Sequence, residues 1–308
     1  MTDPAAPLAV SGAPDSGRAF WRRADDGTRL RLAHWPGERC VVILPGRTEY
    51  IEKYGLVISD LAKAGWGALV IDWRGQGMSD RFLPDARMGH VSHFADYQRD
   101  LDVILTAADE LAPGPKPWLV HSMGGCIGFR GLLHGKRPSA VSFSAPMLGL
   151  SQSDLLTKAL HLLSFALRPL DRGKTYAPTT GPDFGLPGMN FDENNLTTDR
   201  KQFDRMKAQI NDTPELALGG PSLRWTCEAI REMSALARQP APDVAALFGL
   251  GSDEAIVSPK AIRDRVAAWA SASLSEFSDA KHELMMERSE IRDEFLRQTL
   301  SLFDANTR

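Results

Sequence analysis

With 308 residues, 43% hydrophobic side chains and a formal charge of −3, the chain has apolar matter for a large core and no excess of positive charge to suggest nucleic acid as a partner. Its three cysteines, Cys40, Cys126 and Cys227, are too few and too widely spaced for a disulfide framework or a zinc site, a usage that suits a reducing compartment. No run of about 18 apolar residues appears, so a membrane span is not expected.

Residues 1–17 are rich in Ala, Pro, Ser and Gly, lack the basic start and apolar stretch of a signal peptide, and are read as a flexible tail. Phe20 to Trp35 reads as a hairpin with Asp26-Gly27 at the turn. Cys40 to Leu44 is a short apolar strand ending in Pro45-Gly46. Ile51 to Ala64 has helical spacing and stops at Gly65, a C-cap. Gly67 to Ile71 is a second buried strand, followed by Asp72-Trp73-Arg74-Gly75-Gln76-Gly77. A helix is expected over His93 to Leu111, a strand over Trp118 to His121 and a helix from Gly124 to Leu133. Further strands are read at Ala140 to Ser144, Val244 to Leu250 and Ala272 to Phe277. Strands alternating with helices imply a mostly parallel central sheet covered by helices on both faces.

The stretch 146–242 breaks that rhythm and reads as an inserted helical lid, which divides the core into 18–145 and 243–308. Within it, Leu155 to Leu170 is apolar over most of a helical circumference. It is either a packing helix or a wall that meets acyl chains or lipid.

Ser122 is the candidate nucleophile. The run Trp118 to Cys126 (WLVHSMGGC) has a strand stopping at a serine, with Gly124-Gly125 opening the next helix, the layout of a nucleophile elbow. Glycine at those points lets the helix backbone approach closely. Asp253, just past the strand Val244 to Leu250, is the candidate acid, with Glu254 its nearest rival. The carboxyl ends of strands line the crevice of an open parallel sheet, and an acid there can orient a histidine. His282 is the candidate base, being the only histidine C-terminal to Asp253.

The backbone N–H groups of Arg47 and Met123 are the expected oxyanion hole, and the Arg47 side chain is either a surface cation or one that faces substrate. His121 is expected to pack or hydrogen-bond rather than act as the base. Asp72 precedes Ser122, the wrong order for the acid, and with Arg74 is expected to brace the turn that follows it. His90 and His93 lack a third ligand at sensible spacing, so no metal and no cofactor is expected.

With these residues in hand, the chain resembles the α/β-hydrolase superfamily and, more narrowly, the bacterial lysophospholipase and monoacylglycerol lipase group. The matching pieces are LPGRTEYIEKY (Leu44 to Tyr54), DWRGQGMSDR (Asp72 to Arg81), HSMGGCIG (His121 to Gly128), GSDEAIV (Gly251 to Val257) and KHELMMER (Lys281 to Arg288), in the family's order. Val120 stands where the family usually has glycine or alanine, and Pro45 where it usually has histidine. The resemblance implies an α/β-hydrolase fold, a triad of Ser122, Asp253 and His282, and an oxyanion hole at Arg47 and Met123. It implies a serine hydrolase of lysophospholipids or monoacylglycerols. A short-chain esterase, thioesterase, C–C hydrolase or perhydrolase on the same scaffold is the alternative, and a non-catalytic ligand-binding member a further one. The expected partner is a small-molecule ester or lipid, with transient membrane-surface contact through the lid; the oligomeric state is left open. The expected location is cytoplasmic, with peripheral contact at the inner membrane face.

Overall fold

A computed structural model describes residues 5–151 and 171–307. The N-terminal hairpin forms as expected. β1 (Arg18–Arg23) pairs antiparallel with β2 (Arg29–Trp35), and Gly27 takes φ +85° at the turn, a region open to glycine without steric cost. Six further strands follow: β3 (Arg39–Leu44), β4 (Trp66–Ile71), β5 (Trp118–His121), β6 (Val141–Ser144), β7 (Ala246–Gly251) and β8 (Ala272–Phe277). The sheet order is β1-β2-β4-β3-β5-β6-β7-β8, antiparallel across β1, β2 and β4 and parallel from β4 to β8.

Strands β3 to β7 are near-continuous apolar runs because both faces of the sheet are covered. Alternate residues separate into two cores. Val42, Leu44, Val120, Phe143 and Phe248 face α2 (Asp96–Leu111), α3 (Met123–Leu133) and α5 (Leu223–Leu236). Val41, Ile43, Leu119 and Leu247 face α1 (Gly55–Lys63) and α7 (Ser289–Asn306). Each such side chain, taken fully out of water, contributes about 1.5–3 kcal/mol before chain entropy is counted. Two more helices, α4 (Arg200–Asp212) before α5 and α6 (Pro259–Ala267) between β7 and β8, complete the described set.

Several element boundaries differ from the sequence reading, by one to four residues. Ile51–Tyr54 is a 3-10 turn, and α1 begins only at Gly55. The helix expected from His93 starts at Asp96, whose carboxylate accepts the His93 N–H at 3.2 Å and holds the preceding residues as a turn. β7 starts at Ala246 rather than Val244. The Val244 carbonyl turns out of the ladder to accept Trp269 Nε1 at 3.0 Å and Ser271 Oγ at 2.8 Å.

Between β6 and β7 the described chain adds α4, α5 and short 3-10 turns but no strand of the sheet. The helix expected over Leu155 to Leu170 lies outside the described residues. Among those described, no helix is long and apolar enough to cross a membrane.

Of the N-terminal segment expected to be loose, residues 7–14 lie on the core. Pro7 O accepts Arg31 Nη1 at 3.1 Å, Ser11 O accepts Arg205 Nη2 at 2.5 Å and Pro14 O accepts Trp35 Nε1 at 3.0 Å. Leu8, Val10 and Ala13 pack against the core on the α1 side.

Candidate active site

Ser122 follows β5 directly and carries the backbone strain of the elbow, with φ 47° and ψ −114°. A non-glycine residue there costs on the order of 1–3 kcal/mol and persists only where its surroundings hold it. Four main-chain hydrogen bonds do so, the longest from Cys126 N to the Ser122 carbonyl at 3.3 Å. The Ser122 N–H donates to Ser144 O at 3.1 Å, and its carbonyl accepts Gly125 N and Met147 N, each at 2.9 Å. The two glycines are needed for clearance. A Cβ at Gly124 would lie 2.0 Å from Leu44 O, and one at Gly125 would lie 2.6 Å from Pro146 Cβ. Val120, despite its branch, does not crowd the serine. It is fully buried in the core on the α3 side, near Gly128.

The histidine and the acid come from the loops after β8 and β7. His282 is buried, and its Nδ1 lies 2.7 Å from Glu254 Oε2. The carboxylate that meets the ring is therefore Glu254 and not Asp253. Asp253 is exposed, and its Oδ1 accepts the Ser252 hydroxyl at 3.0 Å. Backbone geometry decides between them. The Asp253 N–H donates to Ala280 O, while the longer Glu254 side chain turns inward, where its Oε1 also accepts Ile256 N at 2.7 Å and Val257 N at 3.0 Å. Burial pushes the Glu254 carboxyl up, but the His282 hydrogen bond and charge and those two amides outweigh it, leaving the group below its ordinary value.

The His282 loop is tied to residues 194–198. The Glu283 N–H donates to Leu196 O at 2.8 Å and Lys281 Nζ to Asn194 O at 2.6 Å. The His282 ring centroid sits 4.8 Å from that of His121, the residue before Ser122.

His121 is a packed, hydrogen-bonded residue. Its Nδ1 lies 3.0 Å from Ser144 O, and burial pulls its pKa down to about 4, so the ring is neutral at ordinary pH. Its Nε2 faces Glu49 Oε1 at 3.8 Å. Glu49, which the sequence reading passed over, organises the loop after β3. It accepts the Gly46 N–H and, at 2.6 Å, the Tyr54 hydroxyl. Lys53 Nζ lies 2.7 Å from both Glu49 Oε1 and Glu283 Oε1, so one buried ammonium joins the Arg47 loop to the His282 loop. Glu49, His121 and Glu283 are also a possible ligand set for a metal ion by proximity. Lys53 already supplies the cation those carboxylates require.

Pro45 is held without a histidine's help. Its carbonyl accepts Trp73 Nε1 at 2.8 Å, and Gln76 Nε2 donates to Gly46 O at 2.8 Å. The turn after β4 thus supports the loop that carries Arg47. Asp72 does brace that turn, accepting Met78 N at 2.8 Å, but its cation is Arg31 at 2.7 Å; Arg74 pairs with Asp100 instead. Among the described residues, neither the Arg47 nor the Met123 amide N–H has an acceptor. Of the two histidines considered for a metal, His90 is buried against Ser222 Oγ at 2.8 Å and His93 is exposed.

The family model described as "Serine aminopeptidase, S33" matches residues 36–289. The chain is 30% identical to lysophospholipase L2 of Escherichia coli (strain K12), over 92% of this chain and 89% of that protein. Among solved structures, a soluble variant of monoglyceride lipase from Saccharomyces cerevisiae superposes with a TM-score of 0.75 at 18% identity, covering 98% of this chain and all of that one (100%). The monoacylglycerol lipase of Paleococcus ferrophilus superposes with a TM-score of 0.69 at 19% identity, over 89% and 98% of the two chains. At those identities the structural likeness is one of fold.

Proposed function

We propose that this chain, which belongs to the serine aminopeptidase S33 family and has the α/β-hydrolase fold, is a serine hydrolase that cleaves carboxylic esters of lysophospholipids or monoacylglycerols through an acyl-enzyme. The observation that carries the reading is the buried Glu254–His282 pair, closed at 2.7 Å, with the His282 ring 4.8 Å from that of His121, whose chain neighbour Ser122 is held at φ 47° on the elbow. Ser122 Oγ attacks the ester carbonyl, and His282 takes the hydroxyl proton and returns it to the departing alcohol. Glu254 fixes the ring through Nδ1 and stabilises the imidazolium. The N–H groups of Arg47 and Met123 receive the oxyanion, and their having no acceptor among the described residues supports that role. Water then releases the fatty acid by the same route. Residues 146–242 act as the lid over the cleft. A substrate with a free α-ammonium group, as the family's name would suggest, suits the site poorly because Arg47 sets on the oxyanion loop a cation that has no carboxylate partner among the described residues.

The test uses a fluorophosphonate probe and a panel of esters of rising acyl length. Wild type should label and should prefer long acyl chains. Ser122→Ala should keep its fold, lose all labelling and lose about 10³- to 10⁶-fold in kcat. Labelling that survives in the variant moves the nucleophile elsewhere, and a preference for acetate assigns the fold to a short-chain esterase.

A further inference from the structure

Arg47 has a side chain that the chemistry above does not use. Its backbone leaves Gly46 beside the nucleophile, since the Leu44 and Pro45 carbonyls of the same loop lie where a Cβ on Gly124 would be, at 2.0 and 2.5 Å. The guanidinium reaches toward the segment between β6 and β7. Nη2 donates to Gly219 O at 2.7 Å, and Cζ lies 5.1 Å from the centre of the Trp225 ring. Gly89 makes room for it, because a Cβ there would lie 2.6 Å from Nη2.

Among the described residues the group's charge is not balanced. Nε is buried and has no hydrogen-bond partner, and among the described residues no carboxylate pairs with the guanidinium. By contrast, Lys53 pairs with Glu49 and Glu283, Arg31 with Glu52 and Asp72, and Arg74 with Asp100. Burial pulls the Arg47 pKa down to about 10, which still leaves a cation at neutral pH. A partly buried charge without a counter-ion carries a desolvation cost, and an anionic ligand offsets it on binding. Trp225 at one side and Gly219 at another hold the planar guanidinium in place, and Nη1 with the second Nη2 hydrogen is the pair of donors left to meet a phosphate at two points.

We propose that Arg47 is the headgroup site of the enzyme and binds the phosphodiester of a lysophospholipid while its own amide holds the oxyanion. The inference rests on the serine-esterase reading and deepens it by choosing between the two substrate classes. In a lysophospholipid the three glycerol carbons separate the scissile ester from the phosphate. One residue that grips the ester oxygen by its N–H can therefore reach the phosphate with its side chain. A monoacylglycerol offers only hydroxyl groups at that place and leaves the cation uncompensated.

The experiment compares kcat/KM for a lysophosphatidylglycerol and a monoacylglycerol of the same acyl chain, in the same micelles, with full-length wild type, Arg47→Gln and Arg47→Lys. Both substrates use the same acyl pocket and oxyanion hole, so any disturbance of the residue 47 amide cancels in the ratio. The wild-type ratio should favour the lysophospholipid. It should fall about 10- to 100-fold in Arg47→Gln, the scale of a lost charged hydrogen bond, and less in Arg47→Lys. Glycerol 3-phosphate should slow fluorophosphonate labelling of wild type but not of Arg47→Gln, and inorganic phosphate should do so more weakly. An unchanged ratio in both variants overturns the headgroup site while leaving the esterase standing. A wild type that neither labels nor turns over either substrate overturns both. Protection of wild type and variant alike places the anion elsewhere.

Discussion

A carboxylate can orient a histidine only from within hydrogen-bond reach, and of the two adjacent acids after β7 only Glu254 has it, at 2.7 Å from His282 Nδ1. Glu254→Gln keeps the shape but removes the charge that favours the imidazolium. It should lower kcat by about 10²- to 10⁴-fold. Asp253→Asn, exposed and facing Ser252, should leave kcat within a few-fold of wild type. Ester turnover by the two purified variants checks this, and the opposite ranking would restore Asp253 to the triad. The sequence placed the acid within one residue. It could not choose between neighbours, because the choice lies in which side chain the loop turns inward, and composition and spacing carry no record of that. His121 gives a second prediction at this scale. Its native pKa of about 4 lies below the ordinary histidine value of 6.5, so the folded state takes up fewer protons than the unfolded chain in between. Stability should be level above about pH 6.5 and fall by up to a few kcal/mol toward pH 4. Urea unfolding at pH 7.5, 6 and 5 should show that slope, and His121→Gln should flatten it between pH 6.5 and 4.5. Equal slopes in the two proteins would contradict the assignment.

The loop after β3 and the loop after β8 are separate elements joined by one side chain. Lys53, on the 3-10 turn before α1, lies 2.7 Å from Glu49 on one side and from Glu283 on the other. Glu49 holds the Gly46 amide, and Glu283 is the neighbour of His282, so the ammonium sets the spacing between the oxyanion hole and the base. Lys53→Met should leave two buried carboxylates without a cation. The expected loss is about 3–5 kcal/mol in unfolding free energy, with a lower kcat in what remains folded. Adding Glu49→Gln and Glu283→Gln should recover part of the stability but not the kcat, because the uncharged loops no longer fix each other. A Lys53→Met protein within about 1 kcal/mol of wild type would show that the brace is incidental. The sequence reading saw this stretch as the start of a helix and assigned Lys53 no role. A 3-10 turn rotates Lys53 inward, and helical periodicity alone does not register the change.

Over the whole molecule, what was legible is what apolar runs and turn residues dictate. The eight strands among the described residues, the hairpin at Gly27 and the elbow at Ser122 all follow from local patterns that burial reinforces. What was not legible depends on distant groups meeting: Glu49 with Gly46, Gln76 with the same loop, and the N-terminal segment with the core. That segment looked loose because Ala, Pro, Ser and Gly have little apolar surface to bury. Its anchors are instead carbonyl oxygens, which every residue carries and no composition reveals. Removing residues 1–17 would strip acceptors from Trp35 Nε1 and Arg205 Nη2 and uncover the surface beneath Leu8 and Val10. Trp35 is 2% exposed with the segment in place, so its indole would lose both its partner and part of its cover. The shortened protein should unfold at a lower urea concentration, with a loss of about 2–4 kcal/mol. Ser122 in the folded fraction should still react with a fluorophosphonate, because none of the anchors touches the elbow. A midpoint equal to that of the full chain would mean that residues 1–17 contribute nothing to the folded state in solution, as their composition alone had suggested.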